Sequence, residues 1–242
     1  MPGPMVLPLH GWGGSFKRIY ADNGWVGALQ AAGRKVVAMD LPGHGEGTHS
    51  DRPEDYGDLA GAVAEHLPEG PLDLIGYSLG GKLALELASR WPERFARIVI
   101  GGLGDNIFAP EANGAALAST LEQGVTAQTP PGLAAFADYA IGNGNHPRAV
   151  AAVLRRPPNP VATPERLGQI RSRILIVNGN CDRTARPDGK LVGALRDVTH
   201  ILLPDVDHLS LPGVEAFRSL AVSFLESPED QKARDGQVAA AH

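Results

Sequence analysis

Ser78 sits in the pentapeptide Gly76-Tyr77-Ser78-Leu79-Gly80, between the apolar run LDLIG and a stretch that reads as a helix. A serine between two glycines at this spacing fits a sharp strand-to-helix turn. Neighbours two positions away on either side must lack bulk, and the hydroxyl is aimed away from the sheet. The helix N-terminus behind such a serine favours developing negative charge. The chemistry this offers is nucleophilic attack and acyl transfer. A serine hydroxyl attacks poorly at neutral pH, so it needs a base, and the base needs a carboxylate to orient it.

Those partners belong beyond later strands, in the order serine, acid, histidine. The run RILIVNG is followed by Gly179-Asn180-Cys181-Asp182, and THILLP by Asp205-Val206-Asp207-His208. Asp182 and His208 thus lie just past predicted strand ends, at the edge that also carries Ser78. Each also has a plain reading, Asp182 as a turn former and His208 as a surface-loop histidine. Asp105, in GGLGD after RIVIGG, is the rival for the acid; Asp205 and Asp207 read as solvated loop charges or outer supports. An oxyanion would need donors as well. The glycine-rich turn Leu9-His10-Gly11-Trp12-Gly13-Gly14 lets backbone N–H groups face a site. The amides of Trp12 and Leu79 are therefore the candidate oxyanion hole, each donor worth ~3 kcal/mol. His10 reads as a ring packed under this loop. His44, His49, His66, His146 and His200 have no supporting constellation.

The elements that must place these residues follow from the apolar pattern. Short apolar runs at 5–9, 35–40, 72–76, 97–102, 173–179 and 199–204 read as strands buried on both faces. Helix-like segments fall at 22–32, 54–67, 79–90, 187–196 and 212–226. In 79–90 the spacing of Leu83, Leu87 and Trp91 gives one apolar face. Alternating strands and helices predict an α/β fold with a mostly parallel sheet of about six strands and helices on both faces. Residues 104–165 break the rhythm, with weak helical patterning at 111–123, 131–141 and 147–156. A plain loop of that length is improbable in a compact domain, so they read as an inserted cap between core segments 1–103 and 166–226. The tail 227–242 has little apolar content and reads as disordered.

Composition narrows the remaining classes. A chain of 242 residues, 43% hydrophobic and 20% charged, suits one α/β domain with a sizeable core. The net charge of −5 argues against nucleic acid or an anionic membrane as the main partner. The single cysteine, Cys181, allows no intramolecular disulfide, and no paired His spacing completes a zinc site. The expectation is no metal and no cofactor. The opening MPGPMVLPLHGWGG lacks a signal-peptide pattern, and no apolar run is long enough to span a bilayer, so the expected compartment is the cytoplasm.

Taken together, LHGWGG (9–14), DLPGHGEG (40–47), GYSLGG (76–81), GNCD (179–182) and DH (207–208) resemble the α/β-hydrolase-fold serine hydrolases, from about residue 5 to residue 226. The HGW and SLGG segments also resemble the carrier-protein methyl ester esterase branch. The resemblance implies a Ser78–His208–Asp182 triad in a carboxylic ester hydrolase acting on a small-molecule ester, with a carrier-protein substrate as an option. The antiparallel strand pair that usually opens the family's sheet is expected to be absent, since only four residues precede the first apolar run. Within the same machinery, a C–C bond hydrolase or lyase-like enzyme on a carboxylated substrate is the alternative, motivated by Arg148, Arg155 and Arg156. A hydrolase-fold ligand-binding protein is a third reading.

Overall fold

The structure is a computed structural model that describes residues 5–109, 113–157, 162–185 and 189–226. Its centre is an all-parallel sheet of five strands in sequential order: β1 (Met5–Leu9), β2 (Leu72–Tyr77), β3 (Phe95–Gly101), β4 (Arg173–Gly179) and β5 (Val198–Leu203). Strands β1 to β4 form because their side chains can be buried alternately on both faces, whereas the edge strand β5, expected to be buried likewise, leaves Thr199 and Leu202 exposed. Leu7, Leu9, Leu72, Leu74, Ile98, Ile100, Ile174 and Ile176 enter one core. Val6, Ile75, Tyr77, Val99, Leu175 and Val177 enter the other. Such two-sided burial is what a parallel sheet covered by helices requires.

Helix α1 (Trp25–Ala31) precedes β2 on the second face. Helices α2 (Leu59–Ala64) and α3 (Leu79–Arg90) cover the first. Between β3 and β4 come α4 (Gly114–Gln123), α5 (Pro131–Gly142), α6 (Pro147–Arg155) and the short α7 (Pro164–Leu167). Helix α8 (Lys190–Ala194) joins the first face, and α9 (Glu215–Leu225) packs through Phe217, Ala221 and Leu225 on the second. Helices α4, α5 and α6 share a small core of Leu117, Ala118, Leu121, Ala137, Ala140, Val150 and Ala151. On α6, Ala152 and Val153 belong instead to the main core, so this helix ties the insertion to the sheet layer.

Two sequence expectations need correction. Residues 35–40 form no strand. Val6 donates to the Lys35 carbonyl at 2.8 Å and Val37 donates to the Val6 carbonyl at 2.8 Å, giving one parallel bridge at Val36. The chain then leaves the edge because the Asp40 carboxylate accepts the Phe16 and Glu46 amides, drawing it into a loop. The sheet therefore has five strands among the described residues rather than six. Trp91 is not on the buried face of α3 either, being 42% exposed while Leu83 and Leu87 are buried. It caps the helix at φ −132°, ψ 71°, so the four-residue periodicity has ended before it. The tail 227–242 lies outside the described residues.

Val36 lies on one side of β1 and β2 on the other. The chain thus reverses its direction of sheet growth at β1. A crevice at the carboxyl ends of the strands flanking such a switch point is where parallel α/β sheets bind ligands.

Candidate active site

The turn after β2 is held by close backbone packing. Ser78 has φ 52° and ψ −110°, a conformation that costs a non-glycine residue on the order of 1–3 kcal/mol. A Cβ on Gly76 would stand 2.5 Å from the Gly80 carbonyl oxygen. One on Gly80 would stand 1.9 Å from the Leu9 carbonyl oxygen and 2.8 Å from that of His10. The two glycines therefore let α3 begin directly against the end of β1. Ser78 donates its amide to Gly101 at 2.9 Å, and Lys82 donates to the Ser78 carbonyl at 3.1 Å, which fixes both sides of the turn. Ser78 itself is half-buried, flanked by buried Tyr77 and Leu79, so the turn leaves its side chain accessible.

Ser78, His208 and Asp182, separated by up to 130 residues in sequence, come together here. Ser78 Oγ is 3.1 Å from His208 Nε2, and His208 Nδ1 is 2.8 Å from Asp182 Oδ2. The second oxygen of Asp182 accepts the amides of Thr184 (2.8 Å) and Ala185 (2.9 Å). Burial works to raise the Asp182 pKa, but the His208 bond and these two amides outweigh it and hold the carboxyl below its usual range. The acid therefore stays ionised and accepting. That selects the His208 tautomer with hydrogen on Nδ1, leaving Nε2 as an acceptor facing the Ser78 hydroxyl.

The histidine loop is anchored just as closely. The Tyr77 hydroxyl donates to the His208 carbonyl at 2.6 Å, and the two rings lie 5.3 Å apart. A Cβ on Gly102 would meet His208 Cε1 at 3.1 Å, and one on Gly179 would sit 2.0 Å from the Val206 carbonyl oxygen. The Phe136 ring, from α5, lies 6.5 Å from the imidazole between centroids.

Asp105, the rival acid, is committed elsewhere. It accepts the amides of Lys190 (3.0 Å) and Leu191 (2.7 Å) and so caps the start of α8. Asp205 and Asp207 are exposed; the Asp207 carboxylate closes a local turn by accepting the Ser210 amide and hydroxyl. Arg155 pairs with Glu122 and bonds Ser119, Arg148 lies 3.8 Å from Asp51, and Arg156 donates to the Val153 carbonyl. The three arginines thus hold local partners rather than converging on one point.

The glycine-rich loop after β1 adjoins Ser78: a Cβ on Gly11 would lie 3.3 Å from Ser78 Cβ. Gly14 donates to the Gly11 carbonyl at 3.0 Å, closing a turn with Gly13 at φ +73°. His10 is fully buried, and its Nε2 accepts the Leu41 amide at 3.0 Å. The proton is thereby assigned to Nδ1, which donates to the same Gly11 carbonyl at 2.8 Å. Since the Gly11 carbonyl and the Trp12 N–H share one rigid peptide plane, holding the oxygen aims the N–H the opposite way. The Leu79 N–H is the first of α3 and has no intrahelical acceptor. His10 was legible in the sequence as a ring beneath this loop, but not as the group that orients its peptide.

Among the described residues no cluster of His, Cys, Asp or Glu is placed to hold a metal ion, and no helix is long and apolar enough to cross a membrane.

Comparison with known proteins adds the context. Residues 6–218 match the alpha/beta hydrolase family. A dihydrolipoyllysine-residue acetyltransferase component of an acetoin cleaving system from Pseudomonas putida is 36% identical over 112 residues, which cover 43% of this chain and 28% of that protein. A pimeloyl-[acyl-carrier protein] methyl ester esterase from Neisseria meningitidis serogroup A is 38% identical over 89 residues, covering 37% of this chain and 27% of that one. The matched stretches thus span little more than a quarter of either relative. Among solved structures, an esterase from Exiguobacterium antarcticum superimposes with a TM-score of 0.72 at 18% identity, covering 93% of this chain and 92% of that one. The enol-lactonase of Burkholderia xenovorans LB400 gives 0.69 at 22%, covering 92% and 91%. At these identities the structural likeness concerns the fold.

Proposed function

The chain belongs to the alpha/beta hydrolase family, and from that premise we propose that it is a serine hydrolase cleaving carboxylic esters of small to medium acyl compounds. The observation that carries this reading is the unbroken bond series from Asp182 through His208 to Ser78, on a serine held at positive φ. Ser78 Oγ attacks the acyl carbon while His208 Nε2 takes its proton. Asp182 holds the imidazole and stabilises the cation that forms. The carbonyl oxygen becomes an oxyanion facing the N–H groups of Trp12 and Leu79. His208 then protonates the leaving alcohol, and water attacks the acyl-enzyme by the reverse proton path to release the acid.

Residues 104–165, which contribute Phe136 beside His208, act in this reading as the cap that shapes the acyl pocket. The partnered cap arginines give no support to a site built around a substrate carboxylate, so C–C bond hydrolysis remains the lesser reading. The similarity to a carrier-protein methyl ester esterase supports including a carrier-bound methyl ester among the substrates tested.

The test is turnover across p-nitrophenyl esters of increasing acyl length, with a carrier-bound methyl ester alongside. We expect hydrolysis within this panel and a loss on the order of a thousandfold or more in His208→Ala. Full activity in both His208→Ala and Ser78→Ala would sink the mechanism.

A further inference from the structure

Asn145 lies in the turn between α5 and α6, outside the residues that touch the reacting atoms. It is buried, 5% exposed, and its side chain joins three separate segments. The Nδ2 group donates to the carbonyls of Gly13 (2.7 Å) and Gly14 (3.2 Å), and to that of Ala140 at the end of α5 (3.1 Å). The Oδ1 atom accepts the amide of Gly45, in the DLPGHGEG loop, at 3.0 Å. The opposite amide orientation would set an oxygen against three carbonyls, so the network itself fixes which end donates. Asn143, two residues earlier and half-buried, adds a second donor to the Gly13 carbonyl at 3.0 Å.

The loop gripped in this way is the one that carries the Trp12 N–H. Its contacts with the insertion go beyond the asparagines. The Trp12 indole donates to the Val150 carbonyl of α6 at 3.1 Å, and a Cβ on Gly13 would touch Ala140 at 3.1 Å and Tyr139 at 3.2 Å. One end of the turn is therefore held from the sheet side, through His10 and the Gly11 carbonyl. The other end, at Gly13 and Gly14, is held from the insertion. Glycines at both ends leave this turn few side-chain constraints of its own.

We propose that Asn145 is a positioning residue for the oxyanion hole, coupling the insertion between β3 and β4 to the direction of the Trp12 N–H. This rests on the serine-hydrolase reading and deepens it: the insertion is part of the frame that stabilises the transition state as well as a cover. The physical expectation follows from where the charge appears. A ground-state ester asks little of the Trp12 amide, whereas the tetrahedral oxyanion needs that donor on target. Loosening the loop thus raises the barrier without weakening substrate binding.

The experiment compares wild type, Asn145→Ala and Asn145→Asp. The aspartate keeps the acceptor for Gly45 but sets a carboxylate against the Gly13, Gly14 and Ala140 carbonyls. Ester turnover is measured with inhibition by an alkyl trifluoromethyl ketone and by an unreactive amide of the same chain length. Ser78 Oγ adds to the ketone carbon as its proton passes to His208, and the ketone oxygen becomes an anion in the oxyanion hole; the amide binds without reacting. We expect kcat to fall about 10- to 100-fold with KM within about twofold. Affinity for the ketone should drop in proportion while that for the amide holds. Hydrogen exchange of the segment spanning residues 10–16 should quicken.

If Asn145→Ala does not fold, Asn143→Ala removes one of the two donors to Gly13 and should cost about three- to tenfold in kcat. Folded variants with wild-type kcat would overturn the proposal. So would equal losses of ketone and amide affinity, which would mark a merely structural role. If the wild type hydrolyses no ester, the functional reading fails by itself, and loop exchange in Asn145→Ala still decides whether Asn145 holds the turn.

Discussion

At the amino end of β2 and β3, Asp73 is fully buried against Arg34 and Arg97. At the carboxyl end of the same two strands stand Ser78 and the loops that bring it His208 and Asp182. The Asp73 carboxylate takes the Arg34 guanidinium on one oxygen and the Arg97 amide, at 2.9 Å, on the other. Both arginines also donate to the carbonyl of Leu225, the last residue of α9. That end is a multiply bonded knot joining strands to a helix. The carboxyl end is built differently. Both non-glycine residues with positive φ among those described, Ser78 and Asp205, lie there, and Gly76, Gly80 and Gly179 admit backbone contacts no side chain would allow. One end of the sheet uses buried charge to fix the fold; the other holds a hydroxyl in a strained turn with an imidazole nitrogen 3.1 Å from it.

Substitutions should separate the two ends, and the largest effect is expected at the carboxyl end. Asp182→Asn should lower kcat about 10⁴-fold by disfavouring the required His208 tautomer, with stability changed little by comparison. The same change at Asp105 should leave kcat intact and cost less than the ~1 kcal/mol of a cap lost outright, because the amide oxygen of Asn still accepts one of the two α8 amides. Steady-state kinetics with urea melts of both variants checks this, and the reverse pattern would make Asp105 the acid. At the amino end, Asp73→Asn should cost about 3–5 kcal/mol by stranding buried guanidinium charge, while kcat of the folded protein stays within about twofold. A large kcat loss there would show that the two ends are coupled.

The smallest effect concerns acid. Burial, aided by the neighbouring His10, pushes the His44 pKa down to about 3, and burial likewise holds His10 below the usual imidazole range. In the unfolded chain an imidazole takes up a proton near pH 6.5, so below that value the unfolded state binds more protons. Stability is thus fully present above about pH 6.5 and is lost as pH falls toward 3, by at most ~1.4 kcal/mol per pH unit for each histidine. His44→Gln should remove one histidine's share of that slope in urea melts between pH 7 and pH 5. An unchanged slope would show that His44 is not buried neutral. Both rings lie beneath the carboxyl-end loops, His10 under Gly11 and His44 beside it at 5.2 Å, so acid should weaken that end.

What could be read from the sequence follows the same division. The strand ends were legible because each apolar run closes on glycine or a polar loop, even where, as in β5, Thr199 and Leu202 are exposed and the strand is not buried on both faces. Placing Ser78, Asp182 and His208 at those ends required only that the runs be parallel. Residues 35–40 misled because an apolar run looks alike in a central strand and on a sheet edge, and only the pull of Phe16 and Glu46 on Asp40 distinguishes them. Asn145 was invisible for a related reason. Its partners Gly13 and Gly45 lie 132 and 100 residues away, and nothing in GNGN marks one asparagine as buried. The Asp73 knot was hidden likewise, since a charged residue inside an apolar run reveals no partner until Arg34 and Arg97 are folded against it.

In the proposed mechanism the hydroxyl of Ser78 becomes acylated. The direct measurement is rapid mixing with p-nitrophenyl acetate, quenched in acid and followed by peptide mass analysis. An acetyl group is expected on the peptide carrying Ser78, formed no slower than steady-state turnover and absent in Ser78→Ala. Ester hydrolysis that continues in Ser78→Ala, or turnover with the acyl group found on another residue, would contradict it.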